Sequence, residues 1–350
     1  MTTDRQNTVA SPRKPVALIL GATGGIGGAV ADKLAARGYI VRAMHRNAKA
    51  MAAKTPQFAW VQGDAMNRDD VMRAADGVDV IVHAVNPPGY RNWGQLVLPM
   101  IDNTIAAAEA VGARIVMPGT VYNYGPGELE HIFEDSPQRP VTVKGGIRVQ
   151  LEQRLQAAAT RGVQVILVRA GDFFGPNAGN NWFAQAVVKP GQPVKAITNP
   201  GHEGVGHQWA YLPDVAETMV QLLERAEDLP AFARFHMEGF WDRDGLQLGA
   251  AIRRVTGRPD LKTKGFAWGL LWLLQPFVPV FRELMEMRYL WKQPVRMDNG
   301  RLVAFLGAEP RTPIDEAVRA TLASLGCLEP AADERNHTVS SAVGRQGAAA

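Results

Sequence analysis

Apolar runs alternate with segments of helical periodicity along the first half of the chain. The first run, VALIL at residues 16–20, is apolar throughout and stops at a glycine, which is typical of a strand buried on both faces. A helix follows, with Ile26, Val30 and Leu34 on one stripe and Gly38 at its end. The same patterns predict strands at 39–44, 58–62, 78–84, 114–117 and 163–168, and helices at 69–75, 95–111 and 146–161. This alternation predicts an α/β fold, a Rossmann-type doubly wound parallel sheet.

The alternation lapses after about residue 175, where glycine, proline and asparagine become frequent. Loops with short elements are predicted for 177–207. Beyond them we predict a helix from Pro213 to about 226, a strand at 235–238, and helices at 244–256, 266–289 and 312–326, the last capped by Thr312. We therefore predict disordered tails at 1–14 and 327–350. The Rossmann-type domain is predicted at 15–176, with 208–240 returning to it. A smaller, mostly helical region is predicted at 177–207 and 241–326.

Composition narrows the classes of function. The 350 residues carry a formal net charge of +4, which is small for a nucleic-acid-binding protein of this length. Cys327 is the only cysteine, which excludes intramolecular disulfides and cysteine-based metal sites. Serine occurs five times and never within G-x-S-x-G, which argues against a serine hydrolase. His202 and His207 lie close together in a glycine-rich loop, but a loop near a ligand explains them without a metal, and we expect none.

The chain shows no pattern of a secreted or membrane-spanning protein. Its first 14 residues are polar and do not resemble a secretory signal. The strongest apolar stretch, 266–281, is broken by Gln275, Pro276 and Pro279. It is shorter than the ~20 residues that span a bilayer. We expect a protein without a spanning segment, and a reducing cytoplasm is the simplest location.

Gly21, Gly24 and Gly27 stand between the first buried strand and the first helix, with the spacing G-x-x-G-x-x-G. Glycine there permits a positive φ in the turn, close approach of a pyrophosphate to the backbone, and close packing of helix on strand. The phosphates of a dinucleotide would then face free N–H groups at the positive end of the helix. The sequence therefore predicts a dinucleotide-binding loop.

The residues at the end of the second strand indicate which dinucleotide binds. An acidic residue there would bind the 2′-hydroxyl of NAD, but the sequence instead has Arg42 and, after it, Arg46. A basic residue suits the 2′-phosphate of NADP, so Arg46, with Arg42 as a second candidate, favours NADP over NAD. Asp64 ends the third strand, where it either contacts the adenine or caps the next helix.

Several motifs together resemble the extended (atypical) short-chain dehydrogenase/reductases of the NAD-dependent epimerase/dehydratase type. The motifs are GATGGIG at 21–27, VQGD at 61–64, HAVNPPG at 83–89, GTVYNYGP at 119–126, RAGDFFGP at 169–176, WAYLPDVAETM at 209–219 and TPIDEAVRATL at 312–322. The resemblance spans about residues 15–326. It implies a cofactor site formed by Gly21, Thr23, Gly24, Gly25, Ile26, Gly27, Arg46, Asp64, Ala65, His83, Ala84, Val85, Lys144 and Arg148.

The chain departs from this family at the catalytic residues. The resemblance implies a Ser/Thr near the end of the fifth strand, for which Thr120 is placed, and a Tyr-x-x-x-Lys motif on the next helix. At that place the chain has Lys144-Gly-Gly-Ile-Arg148, with lysine for tyrosine and arginine for lysine. A surface ion pair between Arg148 and Glu152 is the structural alternative for the arginine.

Three explanations of this change compete. Lys144 itself donates the proton, with Thr120 orienting the reacting oxygen and Arg148 holding oxygen atoms of cofactor or substrate. Alternatively, Tyr122 or Tyr124 supplies a phenol from the preceding loop. In the third case the protein binds NADP without turnover, as a sensor or scaffold. The first two predict an oxidoreductase or epimerase-like enzyme.

The substrate is expected outside the carboxyl ends of the strands, beneath the C-terminal region. The candidate lining residues are Asn86, Tyr122, Tyr124, Phe173, Phe174, Asn181, Trp182, Phe183 and His207. Together with Lys144, Arg148 and Arg169 they suit a small carbonyl compound or alcohol, and equally a nucleotide-sugar. The tryptophan- and leucine-rich stretch 268–281 is expected to cover the site, and a homodimer face or a membrane-surface contact are its alternatives.

Overall fold

A computed structural model describes residues 13–87, 92–179 and 181–328 of the chain. The predicted tails fall mostly on 1–12 and 329–350, which lie outside the described residues, as do Pro88 and Gly89 of the HAVNPPG motif. The strands are β1 (Val16–Leu20), β2 (Ile40–His45), β3 (Ala59–Gln62), β4 (Val80–His83), β5 (Arg114–Gly119), β6 (Val165–Arg169), β7 (Asp172–Phe174), β8 (Ile197–Asn199), β9 (His207–Tyr211), β10 (Phe232–His236), β11 (Phe240–Asp242) and β12 (Thr263–Gly265).

Helices follow most of these strands in the chain. They are α1 (Gly25–Ala36), α2 (Ala48–Lys54), α3 (Arg68–Ala75), α4 (Trp93–Val111), α5 (Val143–Ala159), α6 (Leu212–Glu224), α7 (Gln247–Thr256), α8 (Trp268–Leu274), α9 (Pro279–Glu286), α10 (Gly300–Leu306) and α11 (Ile314–Ser324). One π-helical turn, Phe183–Val187, lies within the stretch predicted as loops.

The central sheet has seven parallel strands in the order β3-β2-β1-β4-β5-β6-β10. One face carries α1 and α6, and the other carries α3, α4 and α5. Two apolar cores separate these helices from the sheet, which explains why the central strands are apolar on both faces. The predicted doubly wound, Rossmann-type fold is confirmed.

The C-terminal region adds a three-stranded sheet, β11-β9-β7, and a two-stranded sheet, β12-β8. Its own core is rich in aromatic side chains, and Trp182 contacts Phe266, Trp268 and Trp291 there. Helices α7, α8, α9 and α11 surround this core, so the predicted helical C-terminal region is also confirmed.

Four local predictions differ from the structure. Helices α2 and α10 were not predicted, although Asn47 caps α2 by accepting a hydrogen bond from the Ala50 N–H. The kinked helix expected at 266–289 consists of α8 and α9, because two prolines interrupt the backbone hydrogen bonds between them. Thr312 does not cap α11: its hydroxyl donates to the Asp214 carboxylate (2.6 Å).

Candidate active site

A cavity of about 680 Å³ lies at the carboxyl ends of the parallel strands, where the strand order reverses between β1 and β4. Doubly wound folds bind their ligands at such a switch point. The volume falls within the ~300–1,000 Å³ typical of small-molecule sites. Its walls come from the glycine loop, the ends of β2 to β5, helices α4 and α5, and the segment that follows β6.

The glycine loop forms one wall, and its backbone leaves no space for side chains at two positions. Gly21 has φ +95°, and a Cβ there would lie 2.6 Å from the carbonyl oxygen of Ala84. A Cβ on Gly27 would lie 2.2 Å from the carbonyl oxygen of Gly21. Gly24, by contrast, faces the cavity, since a Cβ would meet only the Gly21 oxygen at 3.3 Å. This cradle at the start of α1 fits a pyrophosphate group, and Thr23, Gly25 and Ile26 also line the cavity.

The two arginines of β2 and its end occupy different environments. Arg46 is exposed and lines the cavity. Arg42 donates from its guanidinium to the carbonyl oxygens of Ala74 and Asp76, both at 2.7 Å, and so binds the carboxyl end of α3. Arg42 does not line the cavity and its Nη1 serves a helix end, so the structure lends no support to Arg42 as a second 2′-phosphate ligand.

Asp64 and Ala65 line the cavity beside the end of β3. The Asp64 carboxylate accepts a hydrogen bond from the Met66 N–H (2.9 Å) and closes a turn. Helix α3 is capped by Asn67, whose side chain accepts from the Asp70 N–H, so the capping alternative for Asp64 does not hold. The carboxylate remains at the cavity wall next to the glycine loop.

His83 ends β4 and lines the cavity together with Ala84 and Val85. One ring nitrogen of His83 lies 2.8 Å from the Thr104 hydroxyl. Burial and then the positive charge of Arg148 lower the pKa of His83 to about 3. The imidazole is consequently neutral at physiological pH and forms part of the wall rather than a proton donor.

Arg148 brings a buried positive charge to the cavity from α5. Its guanidinium donates to Asn86 Oδ1 (3.2 Å) and lies over the Trp93 ring, 4.8 Å from the ring centroid. The surface ion pair considered for Arg148 and Glu152 is not observed as such, because both side chains are buried. Arg148 can bind an anionic or carbonyl oxygen in the cavity.

Thr120 lies just beyond β5 and lines the cavity. Its hydroxyl lies 3.2 Å from Asn123 Oδ1. The orientation of this amide is set by the buried Glu152 carboxylate, which can only accept, so that Asn123 Nδ2 faces Glu152 (2.9 Å) and Gln138 (3.1 Å). The Thr120 hydroxyl therefore donates to Asn123 and presents its lone pairs to other donors.

Tyr122 lines the cavity on the same side as Thr120, and its ring lies against Trp93 with centroids 6.4 Å apart. Helix α5 begins directly behind it. A Cβ on Gly145 would lie 2.2 Å from the Tyr122 carbonyl oxygen, so glycine is required for this close approach. Thr120, Tyr122 and Arg148 thus converge on one end of the cavity, and the glycine cradle forms another part of its wall.

A family model for the NAD dependent epimerase/dehydratase family matches residues 17–235 of the chain. The chain belongs to this family. The family consists of enzymes, and the predicted relationship is confirmed. No curated protein matches the chain by sequence.

Solved structures share the fold of this epimerase/dehydratase chain at low sequence identity. A UDP-glucuronic acid 4-epimerase from Bacillus cereus in complex with NAD has a TM-score of 0.68 at 14% identity, covering 89% of this chain and 98% of its own. A UDP-N-acetylglucosamine 4-epimerase from Bacillus cereus has a TM-score of 0.67 at 16% identity, covering 91% and 98%. MoeE5 in complex with UDP-glucose and NAD has a TM-score of 0.66 at 17% identity, covering 89% and 98%.

Lys144 is the residue predicted at the tyrosine position of the Tyr-x-x-x-Lys motif, and the structure does not bring it to the cavity wall. Its buried ammonium forms ion pairs with Glu283 and Glu286 of α9. The Lys144 backbone N–H also donates to Glu286 Oε1 (3.3 Å). Among the described residues that line the cavity, Arg148 and Tyr122 are present and Lys144 is not.

Tyr124 is fully buried away from the cavity lining. Its hydroxyl accepts a hydrogen bond from Arg169 (3.1 Å), which also donates to the carbonyl oxygen of Thr120 (2.6 Å) and pairs with Glu152. Burial raises the pKa of Tyr124. This network holds the β5 loop against β6, and it places the Tyr124 phenol where a substrate in the cavity does not meet it.

The cavity wall includes residues that sequence reasoning missed, among them the charged Asp172 and the apolar Trp93, Leu96 and Met100. Asp172, at the start of β7, lines the cavity, and its carboxylate lies 2.7 Å from His207 Nε2. Of the predicted lining residues, the structure places Asn86, Tyr122, Phe173, Asn181 and Trp182 at the cavity. Phe174 and Phe183 instead stack on each other in the C-terminal core (5.6 Å). Asp172 follows the glycine of RAGD directly after a buried strand, and this position could have indicated a residue of the cavity wall.

His207 faces a second, smaller cavity of about 30 Å³ and stacks on Trp291 (3.9 Å). Within the described ranges, no group of three or more histidine, cysteine or carboxylate side chains is arranged to hold a metal ion. None of the helices in those ranges is both long enough and apolar enough to cross a membrane.

Proposed function

We propose that this chain is a nicotinamide-dependent oxidoreductase that interconverts a carbonyl and a hydroxyl group on a small, largely apolar substrate. The observation that carries the proposal is the convergence of Thr120, Tyr122 and Arg148 on the cavity that the glycine cradle also lines. We further propose NADP as the preferred cofactor, because Arg46 rather than an acidic residue lies at the end of β2.

The cavity residues divide between cofactor and reaction. The glycine loop would hold the pyrophosphate, Arg46 the 2′-phosphate, and Asp64 the adenosine. A nicotinamide bound in this cavity supplies or accepts a hydride at the substrate carbon. Arg148 would donate hydrogen bonds to oxygen atoms of the ribose or the substrate.

We assign transfer of the substrate's hydroxyl proton to hydroxyl groups in the loop that follows β5. During reduction, the Tyr122 phenol donates its proton to the substrate oxygen while the carbon receives the hydride, which gives the alcohol. The Thr120 hydroxyl donates to Asn123, so it would orient the alcohol or the Tyr122 phenol by accepting a hydrogen bond, and it has no proton left for the carbonyl oxygen. Lys144 is tied to Glu283 and Glu286, so we assign it to holding α5 against α9 rather than to proton transfer.

The charges at the substrate end support a substrate without a diphosphate. Arg46 and Arg148 are the arginines that line the cavity within the described residues, and no lysine does. With Arg46 assigned to the cofactor, only Arg148 would remain for a substrate anion, and the Asp172 carboxylate opposes it. The remaining side chains of the cavity wall include the apolar Trp93, Leu96, Met100, Phe173 and Trp182 together with uncharged polar groups such as Asn86 and Asn181.

A second candidate is epimerisation of a nucleotide-sugar. The structures that share this fold include UDP-sugar epimerases and a complex with UDP-glucose and NAD. Epimerisation would return the hydride to the same carbon, so that the cofactor shows no net change. The third candidate is an NADP-binding sensor or scaffold that catalyses no reaction.

One screen separates the three candidates. The purified chain is incubated with NADPH or NADH and a panel of neutral aromatic and aliphatic carbonyl compounds, and the loss of absorbance by the reduced cofactor is followed. In parallel, UDP-sugars are incubated with the protein and separated by chromatography. Oxidation of NADPH by a neutral carbonyl compound supports our proposal. Conversion of a UDP-sugar without net change of cofactor contradicts it in favour of epimerisation, and binding of NADPH without any turnover favours the sensor.

A further inference from the structure

The stretch between Lys264 and Arg282 contains no charged residue. It forms α8, a turn with Pro276 and Phe277, and the first residues of α9, and the two helices pack against each other as a hairpin. A surface helix of a globular protein normally turns charged and polar side chains outward. Over its first helix and turn this hairpin has no charged side chain, and Gln275 is its one polar side chain apart from the tryptophans.

The inner face of α8 is fixed to the C-terminal core. Trp268 is buried, donates from its indole N–H to the carbonyl oxygen of Pro200 (2.8 Å), and contacts Trp182 with ring centroids 5.9 Å apart. Leu271, one turn later, is also buried. The inner face therefore accounts for only part of the apolar content of the helix.

The outer face is equally apolar and is open to solvent. We call Leu270, Trp272, Leu273 and Phe277 the apolar ridge; their exposed fractions are 54%, 62%, 61% and 82%. Leu270 and Leu273 follow one another at i and i+3 in α8, which places them on one face of the helix, and Phe277 follows in the turn. The most exposed of them, Phe277, lies in the turn between the helices, so the ridge ends in a projecting apolar side chain rather than a groove.

Positive charges border this ridge. Lys262, Lys264 and Arg282 are exposed on its two sides along the chain. The carboxylates of α9, Glu283 and Glu286, both pair with Lys144, whose single positive charge offsets one of the two negative charges. With Lys262, Lys264 and Arg282 included, the charged groups named here carry a net positive charge.

We propose that the α8–α9 hairpin docks this protein on the surface of a membrane that contains anionic lipids. The ridge would enter the boundary between headgroups and acyl chains, where tryptophan is favoured, and Lys262, Lys264 and Arg282 would contact the headgroups. Helix α8 has seven residues, so the hairpin lies on the membrane and does not cross it. An apolar projection with a cationic border fits an anionic lipid surface better than a protein groove, which would need matching acidic residues.

Docking would also act close to the candidate active site. Helix α9 is joined to α5 through the ion pairs of Glu283 and Glu286 with Lys144, and α5 carries Arg148 into the cavity. A membrane-docked hairpin would thus hold the helix that forms part of the cavity wall. The docking itself does not depend on the reaction that the cavity catalyses.

The test is co-sedimentation of the full chain with vesicles of phosphatidylcholine alone and of phosphatidylcholine with phosphatidylserine. We expect binding to the mixed vesicles and little to the neutral ones. The double variant Leu273→Ser/Phe277→Ser should lower the partition coefficient at least about tenfold, because several apolar groups per residue leave the bilayer boundary. Phe133→Ser is the matched control, since Phe133 is 51% exposed but lies outside the hairpin.

The cationic border is tested separately by Lys264→Gln and Arg282→Gln. Each should lower binding to the mixed vesicles about fivefold at low salt, and added salt should diminish the difference. Thermal unfolding of each variant checks that the fold is retained. Failure of the wild type to sediment with either vesicle, or equal effects of Phe133→Ser and Phe277→Ser, overturns the proposal. A dimer in solution that dissociates in Leu273→Ser/Phe277→Ser also overturns it, because the ridge would then be an interface between copies of the chain.

Discussion

The cofactor end and the substrate end of the cavity use different parts of the chain. At the cofactor end the wall is mainly backbone, and Gly21 and Gly27 are needed because a Cβ would meet a carbonyl oxygen. At the proposed substrate end the wall consists of side chains that distant parts of the chain contribute, such as Thr120 after β5, Arg148 of α5 and Asp172 of β7. A backbone cradle depends on local spacing, which survives sequence change. A side-chain constellation can change its chemistry while the fold persists.

The largest expected effect is on the cradle itself. Gly24→Asp would place a carboxylate against the pyrophosphate, and two unit charges ~4 Å apart near a protein surface repel by about 4 kcal/mol. We expect the Kd for NADPH to rise about a thousandfold in a fluorescence titration. Gly127→Asp is the control, since a side chain at Gly127 meets open space outside the cavity. Equal affinity of the Gly24→Asp variant and the wild type would show that the dinucleotide does not lie on this loop.

The next effect separates binding from chemistry at the substrate end. Tyr122→Phe removes the proposed proton donor, and general acids contribute about 10²–10⁴-fold, so kcat should fall at least 100-fold. The Kd for NADPH should stay near that of the wild type. Tyr39→Phe, at the opposite end of the sheet beside the start of β2, should leave kcat unchanged. If Tyr122→Phe keeps full activity while Lys144→Met abolishes it without loss of stability, Lys144 is the proton donor and our assignment is wrong.

The third effect concerns the stability of the fold. Lys144→Met leaves Glu283 and Glu286 without their buried partner. Loss of one partner of a buried pair costs about 3–5 kcal/mol, and we expect roughly 2 kcal/mol here because both carboxylates keep partial contact with water. Urea denaturation measures this change, and Lys195→Met on the surface serves as the control.

A further variant distinguishes loss of the ion pairs from simple misfolding. Adding Glu283→Gln and Glu286→Gln to Lys144→Met removes the unpaired charges and should restore part of the lost free energy of unfolding. No loss in Lys144→Met, or no recovery in the triple variant, would contradict the structural role that we assign to this lysine.

The contrast between a local backbone cradle and side chains from distant elements also explains which features the sequence could predict. The parallel, doubly wound sheet could be predicted from alternating strands and helices, and the cradle from three glycines within one turn, whereas the order of the seven strands was not predicted. Lys144, however, is held by carboxylates 139 and 142 residues away in the chain. No local pattern reports such a pairing, so that lysine was expected at the reacting group. Asp172 lay within a recognised motif, but its contact with His207 depends on β7 pairing with β9.

The two arginines of β2 and its end show the same difference between local pattern and long-range contact. Both Arg42 and Arg46 were candidates by position, and only the packing of α3 on the sheet shows that Arg42 binds the backbone of Ala74 and Asp76. Side chains on one strand alternate between faces, but their final partners come from elements that the strand itself does not specify. The proposed preference for NADP therefore rests on one exposed residue, Arg46.

The smallest expected effect tests that residue. Arg46 is exposed, so a charge-assisted contact with a 2′-phosphate is weakened by water, and we expect it to contribute about 1 kcal/mol. Arg46→Ala should thus lower the ratio of NADPH to NADH affinity about fivefold, through a higher Kd for NADPH and an unchanged Kd for NADH. Paired titrations at low and moderate salt measure the ratio, and the difference should shrink as salt rises. Arg319→Ala, exposed on α11, controls for the general loss of positive charge. Tighter binding of NADH than of NADPH by the wild type, or equal weakening of both by Arg46→Ala, would show that the arginine does not select the cofactor. Arg46 would then be an exposed side chain without a role in cofactor choice.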